Sequence, residues 1–320
     1  MNFLKRFKDV LIKNKKLKTL ASIIVFLFGV MFIGTSLFFA NSTDNSFPQK
    51  YKIISPKIPN HVTIFAEGVP LENFEVYERV DRELLVNTYW HSSTILAIKR
   101  SARWFPVIEP ILKANNIPDD FKYLAVIESN LENAVSSAGA TGYWQFIKSA
   151  ATQYGLEVND QIDERYNVEK STEAASKYLL EAYNKFGNWT MSAASYNAGI
   201  NGIEKWSGLQ KTTNYWNLVL GSETSRYVSR IIAMKLIMEN PNYYGYDIKD
   251  EDLYKPLKFN EVDLNSSVTN FADYASSLGI NYKTLKYYNP WLRDTKLKNK
   301  NGTSYKIKIP EEGTINLIKE

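Results

Sequence analysis

With 320 residues and 44% hydrophobic content, the chain has room for one ordinary domain and a smaller one, and it is too apolar to be disordered. It has no cysteine, which excludes disulfides, a lipid-modified N-terminal cysteine, zinc ribbons and thiol catalysis; His61 and His91 have no ligand-like neighbours at helical spacing, so acid–base chemistry falls to carboxylates, Tyr or Lys. The net charge of +5 is concentrated at one end: seven basic residues against Asp9 give residues 1–18 a net +6, which leaves −1 for the rest and marks a membrane flank rather than a nucleic-acid face.

That flank (1–18) precedes an uncharged run, "TLASIIVFLFGVMFIGTSLFFA", over 19–40, about the 20 residues that a spanning helix needs. Positive residues stay on the cytoplasmic side, so the expectation is a single-pass anchor in the inner (cytoplasmic) membrane with everything from Asn41 onward on the periplasmic side. A cleaved signal peptide is the rival reading, but Phe38 ahead of Ala40 spoils the small-x-small cleavage pattern. Residues 41–84 read as a polar linker with scattered prolines, then a short strand and turn at "VTIFAEGVP".

From "VYERVDRELLVNTYW" to about Tyr246 the pattern is almost all helical, and residues 85–246 are taken as one domain. Asp119, after Pro118, is placed as the N-cap of a helix striped by Phe121, Leu124 and Ala125. Tyr178, Leu179, Ala182 and Phe186 stripe a second helix that Gly187 stops. Thr190 is placed as the cap of "MSAASYNAG", ended by Gly199, and Ser222 as the cap of a last long helix striped by Tyr227, Ile231, Met234 and Met238, stopped by Asn240 and Pro241. Residues 250–320 read as a small α/β module: strand, short helix, Gly turn, short helix, and a closing strand at "SYKIKIP".

The chemistry collects around "YLAVIESNLENAVSSAGATGYWQF". On the apolar face of its helix the next stripe position is Glu128, where desolvation raises a carboxyl pKa and keeps a proton available to a general acid. The bland alternative is a buried Glu satisfied by an Arg or a helix N-terminus. The following "SSAGATGYWQF" sets Gly139 and Gly142 among small residues, either a tight turn or a loop whose backbone approaches a ligand. Gln145 then offers a donor and an acceptor, with the rings of Tyr143, Trp144 and Phe146 beside it as surfaces for sugar faces. The 14% aromatic content suits a glycan binder as well as a packed core.

"IES", "SSAGATGYWQF", "ASYNAG" and "ETSRYV" resemble, in order and spacing, the motifs of the lytic transglycosylases with a soluble-lytic-transglycosylase domain, most closely the membrane-bound lytic murein transglycosylase D branch, over residues 85–245. The resemblance implies a mainly α, lysozyme-like (α+β) catalytic domain. It places the catalytic acid at Glu128 with Ser129 beside it, substrate contacts at Ser136, Gly142, Gln145 and Phe146, a Tyr-Asn pair at Tyr196 and Asn197, and late contacts at Glu223 and Tyr227. The usual Gly-Leu-Met-Gln is Gly142, Tyr143, Trp144, Gln145 here, which suggests an altered subsite contact. The implied reaction cleaves the β-1,4 bond between N-acetylmuramic acid and N-acetylglucosamine in peptidoglycan and closes a 1,6-anhydro ring, with no metal and no cofactor.

Ordinary glycosidases use two carboxylates. Glu132 is the obvious second one, but Asn133 and the Gly-containing loop suggest that the helix has ended before it; Glu223 is the other candidate. A hydrolytic muramidase using either, or a non-catalytic peptidoglycan-binding protein, are the alternatives. The C-terminal module weakly resembles a lysin-motif domain, which implies either glycan binding or a structural cap.

Overall fold

The computed structural model describes Thr19 and residues 53–314; the basic flank over 1–18, nearly all of the apolar run over 19–40, and the linker up to 52 fall outside the described residues. Among the described residues no helix is long and apolar enough to cross a membrane. What is described is mainly helical, with a small C-terminal two-stranded sheet.

The first elements are the antiparallel strands β1 (Thr63–Ile64) and β2 (Glu67–Gly68), joined through Phe65 and Ala66, both at positive φ. This strained turn is held from outside: the Phe65 N–H donates to Asp120 Oδ2 at 2.7 Å, and the other oxygen of Asp120 pairs with Lys235. Two long helices follow. Helix α1 (Phe74–Tyr89), capped by Asn73, buries Val76, Val80 and Leu84, one stripe at i, i+4 and i+8. Helix α2 (His91–Ala114) continues through Pro106 and Pro110.

Helix α3 (Lys122–Ser129) carries Glu128 in its last turn. Asp119 is not its N-cap, contrary to the sequence expectation: a 3-10 turn over Asp119–Phe121 leads into the helix, and the Asp119 carboxylate instead pairs with Lys122. The stop is abrupt, because Asn130 and Leu131 both take positive φ, so Glu132 lies beyond the helix as expected. After α4 (Lys148–Gln153) come α5 (Val168–Phe186), ended by Gly187 at φ 76°, and α6 (Trp189–Ala198), ended at Gly199. The cap of α6 is Asn188, whose Oδ1 accepts from Met191 N, and not Thr190. The Glu67 carboxylate sits at the same helix start and accepts from the N–H groups of Trp189 and Thr190, so two acceptors satisfy donors that a helix leaves open. The small residues Ser192, Ala193, Ala194 and Ser195 are fully buried where α6 meets α5 and α8. Helix α7 (Ile200–Gln210) precedes α8 (Ser222–Glu239), which buries Tyr227, Val228, Ile231, Ile232 and Met234 and stops at Asn240 and Pro241. Ser222 is its first residue and makes no side-chain cap; Gly221 takes the cap position.

The C-terminal strands β3 (Phe259–Leu264) and β4 (Tyr305–Pro310) pair antiparallel with Leu264 opposite Tyr305, and α9 (Phe271–Ser277) and α10 (Tyr282–Tyr288) lie between them in sequence. Phe271, Ala275, Leu285, Trp291, Leu292 and Ile307 form a second core, which Ile162 of the helical body enters. Backbone bonds stitch that junction, from Asp163 N to Trp291 O at 2.9 Å and from Arg293 N to Gln161 O at 2.8 Å, and the described residues from 55 onward make one compact unit.

Candidate active site

The site starts from a short helix ending on a carboxylate. Glu128 is half-buried, and its Oε1 accepts a hydrogen bond from the hydroxyl of Tyr227, a residue only 1% exposed on α8. Arg230, one turn further along α8, donates to the carbonyl of Ile127 at 3.2 Å and brings a positive charge close to the same carboxyl. Burial raises the Glu128 pKa above the ordinary carboxylate range; the Tyr227 hydrogen bond and the Arg230 charge act against it, and the charge of Glu223 adds to the rise. Burial, reinforced by the negative charge of Glu128, pushes the Tyr227 and Tyr196 phenols well above their usual range, so both stay neutral donors.

A polar cluster stands on the α6 and α8 side. Asn197, at the end of α6, donates from Nδ2 to Glu223 Oε1 at 3.1 Å and accepts at Oδ1 from the Thr224 hydroxyl at 2.7 Å, so its amide orientation is fixed from both ends. Tyr196 donates its hydroxyl proton to the Trp144 carbonyl at 2.8 Å, which ties α6 to the glycine-containing loop. Glu128, Tyr196, Asn197, Glu223 and Tyr227, far apart in sequence, are thereby brought together.

Ser136, Gly142, Gln145 and Phe146 belong to the loop that follows α3, whose last residue is Ser129. The Ser129 hydroxyl lies 2.8 Å from the carbonyl of Tyr143 and joins the end of α3 to the loop. Ser136 closes the turn around Gly139, its Oγ accepting from Ala140 N at 3.0 Å. Gly142 takes φ 84° with its N–H on the Ala134 carbonyl, and a Cβ there would lie 1.9 Å from the backbone oxygen of Arg165. Gln145 also has positive φ, and its Nε2 donates to the carbonyls of Ala134 and Gly142 at 3.1 and 2.8 Å, so only its Oε1 remains to face outward chemistry.

The aromatic expectation for this stretch needs correction. Trp144 is fully buried with its indole N–H on Thr172 Oγ1, and Tyr143 is 5% exposed, so these rings fill the core and do not offer sugar-stacking faces. Phe146, at 4% exposure, packs against Tyr154 and Tyr196. The Trp144 departure from the usual motif is therefore a packing change and not an altered subsite contact. Glu132 is half-exposed and paired with Arg100, away from the Glu128 cluster.

Two residues escaped the sequence reading. Arg165 clamps the loop, donating to the carbonyls of Gly139 and Phe146 at 3.0 and 3.1 Å while its guanidinium pairs with Asp163. No local pattern marks it. Arg230 was findable, since it follows Tyr227 at i+3 on the same helix and so faces the same side. Among the described residues no group of three or more His, Asp or Glu could hold a metal ion.

Comparison with known proteins gives the site a context. Residues 105–219 match the family described as "Transglycosylase SLT domain", and residues 260–313 match "Soluble lytic transglycosylase C-terminal LysM-like domain". Membrane-bound lytic murein transglycosylase D of Escherichia coli strain K12 is 30% identical over 252 residues, 77% of this chain and 53% of that protein. The protein of the same name from Escherichia coli O6:H1 strain CFT073 gives the same figures. The chain thus spans about half the length of the curated relatives it matches. A solved structure, the 70 kDa soluble lytic transglycosylase of Escherichia coli, shares 21% identity over 47% of this chain and 26% of that one, with a TM-score of 0.36, too low to carry an argument.

Proposed function

We propose that this chain, which carries a transglycosylase SLT domain with a lysozyme-like fold followed by a LysM-like domain, is a peptidoglycan lytic transglycosylase with Glu128 as its catalytic acid and base. The observation that carries the reading is the half-buried Glu128 carboxyl held by the Tyr227 hydroxyl, with Glu132 drawn off to Arg100 and Glu223 hydrogen-bonded to Asn197. Protonated Glu128 gives its proton to the glycosidic oxygen as the bond from C1 of N-acetylmuramic acid breaks, and N-acetylglucosamine departs as the alcohol. The Glu128 carboxylate then takes the proton of the C6 hydroxyl of the same muramoyl sugar, whose oxygen closes on C1 to give the 1,6-anhydro ring. Glu128 ends protonated, and no water is consumed.

Each neighbour has a part in this scheme. Tyr227 is a positioning residue, aiming Glu128 through a hydrogen bond that strengthens when the carboxylate forms. Asn197 and Glu223, with Tyr196 and Gln145, form the polar wall of the sugar subsite, and Ser129, Ser136, Gly142 and the buried Phe146 hold the loop that shapes it. The LysM-like domain holds the glycan strand. On this reading residues 19–40 anchor the chain in the inner membrane and the body works on the periplasmic side, supported by the basic flank over 1–18. The proposed domains are the flank (1–18), anchor (19–40), linker (41–84), catalytic domain (85–246) and LysM-like module (250–320). A hydrolytic muramidase is the second reading, favoured by the electrostatic proximity of Glu223 to Glu128, with Glu223 as the base for water.

Incubation with purified peptidoglycan tests the proposal. Soluble muropeptides ending in anhydro sugars are expected; an intact sacculus after prolonged incubation refutes it. The positioning role of Tyr227 is checked by Tyr227→Phe. Loss of a hydrogen bond to a charged group is worth about 1.5–3 kcal/mol, which is roughly a 10- to 150-fold fall in turnover. Because that bond lowers the Glu128 pKa, its removal raises it, so the alkaline limb of the pH–rate profile moves upward. A fall in rate with no movement of that limb would reduce Tyr227 to a packing residue.

A further inference from the structure

Between α4 and α5 the helical body sends out a hairpin over 157–165, closed by the antiparallel bridge of Val158 with Asp163. At its tip Asn159 Oδ1 accepts from the N–H groups of Gln161 and Ile162, both at 2.8 Å, an Asx turn that fixes where Ile162 points. Ile162 is only 1% exposed although it sits on a turn, because it enters the core of the C-terminal module. The module grips the same tip with polar groups. Lys298 N donates to Gln161 Oε1 at 3.0 Å, and the Arg293 guanidinium lies over the Tyr166 ring, 4.0 Å from its centroid. Inside the module Lys286 steadies that grip, donating from Nζ to the carbonyls of Leu292 and, at 2.8 Å, Asp294. The connector is fastened as well: Tyr254 N donates to the Lys99 carbonyl and Arg103 Nε to the Lys255 carbonyl, each at 3.0 Å, which is unlike a free tether.

The same hairpin bears on the loop over 134–146. Asp163 is the pivot: its N–H donates to the Trp291 carbonyl of the module, while its two carboxylate oxygens accept from Arg165 Nε at 2.9 Å and Nη2 at 2.7 Å. A bidentate, charge-assisted pair is geometrically strict, so a displacement of Asp163 is passed on to Arg165. Arg165 holds the carbonyls of Gly139 and Phe146, and its own carbonyl is the wall against which Gly142 packs. The loop then meets the reaction centre, since the Tyr143 carbonyl accepts from Ser129, next to Glu128, and the Trp144 carbonyl accepts from Tyr196. From the module to the neighbours of Glu128 the links are unbroken, and the Asp163–Arg165 pair at their middle is nearly buried.

We propose that the C-terminal module is a positioning element of the reaction centre: by holding Ile162 and Asp163 it fixes Arg165, and Arg165 fixes the loop that sets the Tyr143 and Trp144 carbonyls and Gln145 beside Glu128. Its effect on turnover rests on the proposed catalytic function, while its effect on loop order rests on the geometry alone. The role differs kinetically from holding a glycan strand. A module that only tethers substrate binds ground state and transition state alike and shows in KM. One that positions the loop shows in kcat, because a misplacement of about 1 Å can cost on the order of 10²-fold in rate. A module that merely caps the fold changes the melting temperature and neither constant.

The test compares the full chain with Ile162→Ala, Arg165→Gln and the doubly substituted form, by amide hydrogen exchange and by steady-state kinetics on soluble, peptide-free strands of the peptidoglycan glycan. Ile162→Ala is expected to speed exchange over 134–146 at least ~10-fold and to leave α8 unchanged, the mark of a local opening. Its kcat falls roughly 10-fold or more while KM stays nearly constant. The double form is no slower than Arg165→Gln alone, because both substitutions act along one path. Gln161→Ala, which removes only the side-chain bonds to the module, shows the same effects in smaller measure and keeps the test open should Ile162→Ala fail to fold. Unchanged exchange over 134–146, faster exchange spread equally over α8, a raised KM at constant kcat, or additive effects of the two substitutions would each overturn the proposal. Failure of the unaltered chain to cleave any strand would instead strike the catalytic reading, and the exchange data would then decide alone whether the module holds the loop.

Discussion

Glu128→Gln loses ~10²–10⁴-fold of turnover on peptidoglycan, the range that a positioned general acid contributes. The substitution keeps the size of the side chain and leaves an oxygen to accept from Tyr227, so the geometry survives while the transferable proton does not. It also has a stability consequence of opposite sign. Burial holds the Glu128 pKa above its unfolded value, so the native state binds the proton more tightly and loses stability as pH rises through that raised pKa. Glutamine carries no such charge. The variant therefore melts higher than the unaltered protein at neutral pH, and its advantage shrinks as the pH falls and Glu128 protonates. A variant that is inactive but equally or less stable at neutral pH would mean that Glu128 is satisfied as a charge in the fold, as a structural glutamate would be.

Gly142→Ala unfolds the loop behind the site. Two independent penalties meet at this residue: φ of 84°, which L side chains rarely adopt, and a Cβ placed 1.9 Å from the Arg165 backbone oxygen. A strained positive φ costs about 1–3 kcal/mol, and forcing atoms into a packed site typically as much again. Together they lower the melting temperature by on the order of 10 °C. The matched control is Gly208→Ala on α7, where nothing lies within 4 Å of the added Cβ. There the change should stabilise by about 0.5–1 kcal/mol, since alanine is the better helix former. Thermal melts of the pair separate the clash from glycine removal as such; equal melting of both variants would show that the Arg165 contact is not a constraint on the loop.

Much of the architecture was readable because periodicity and stop signals are local. Gly187 and Gly199 end their helices where the pattern placed them, and the strand–helix–helix–strand order of the C-terminal module follows from turns within it. The helix starts were read less well. Asn188 and Thr190 both carry capping oxygens two residues apart, and only the backbone geometry selects Asn188; Asp119 is drawn off by Lys122, and Glu67 supplies its acceptors from far along the chain.

At the site, Glu128 stood out because a carboxylate interrupted an apolar stripe, which is itself the physical signature of a desolvated acid. Its contact with Tyr227 spans the space between α3 and α8, which periodicity cannot read; the family motifs singled out Tyr227 as a late contact, and only the fold pairs it with Glu128. The rings of Tyr143 and Trp144 were misread for a related reason. A loop pattern does not tell which side faces the core, and the Arg165 clamp that decides it leaves no local trace.

The central claim is that the C6 hydroxyl of the substrate, and not water, closes the reaction on Glu128. Digestion of peptidoglycan in water enriched in heavy oxygen, followed by mass spectrometry of the released muropeptides, addresses it directly. The account predicts anhydro products lighter by one water than their hydrolytic counterparts, free of heavy oxygen, and absent with Glu128→Gln. Reducing ends carrying the heavy isotope would contradict it and identify a hydrolase in which a second carboxylate, with Glu223 first in line, activates water.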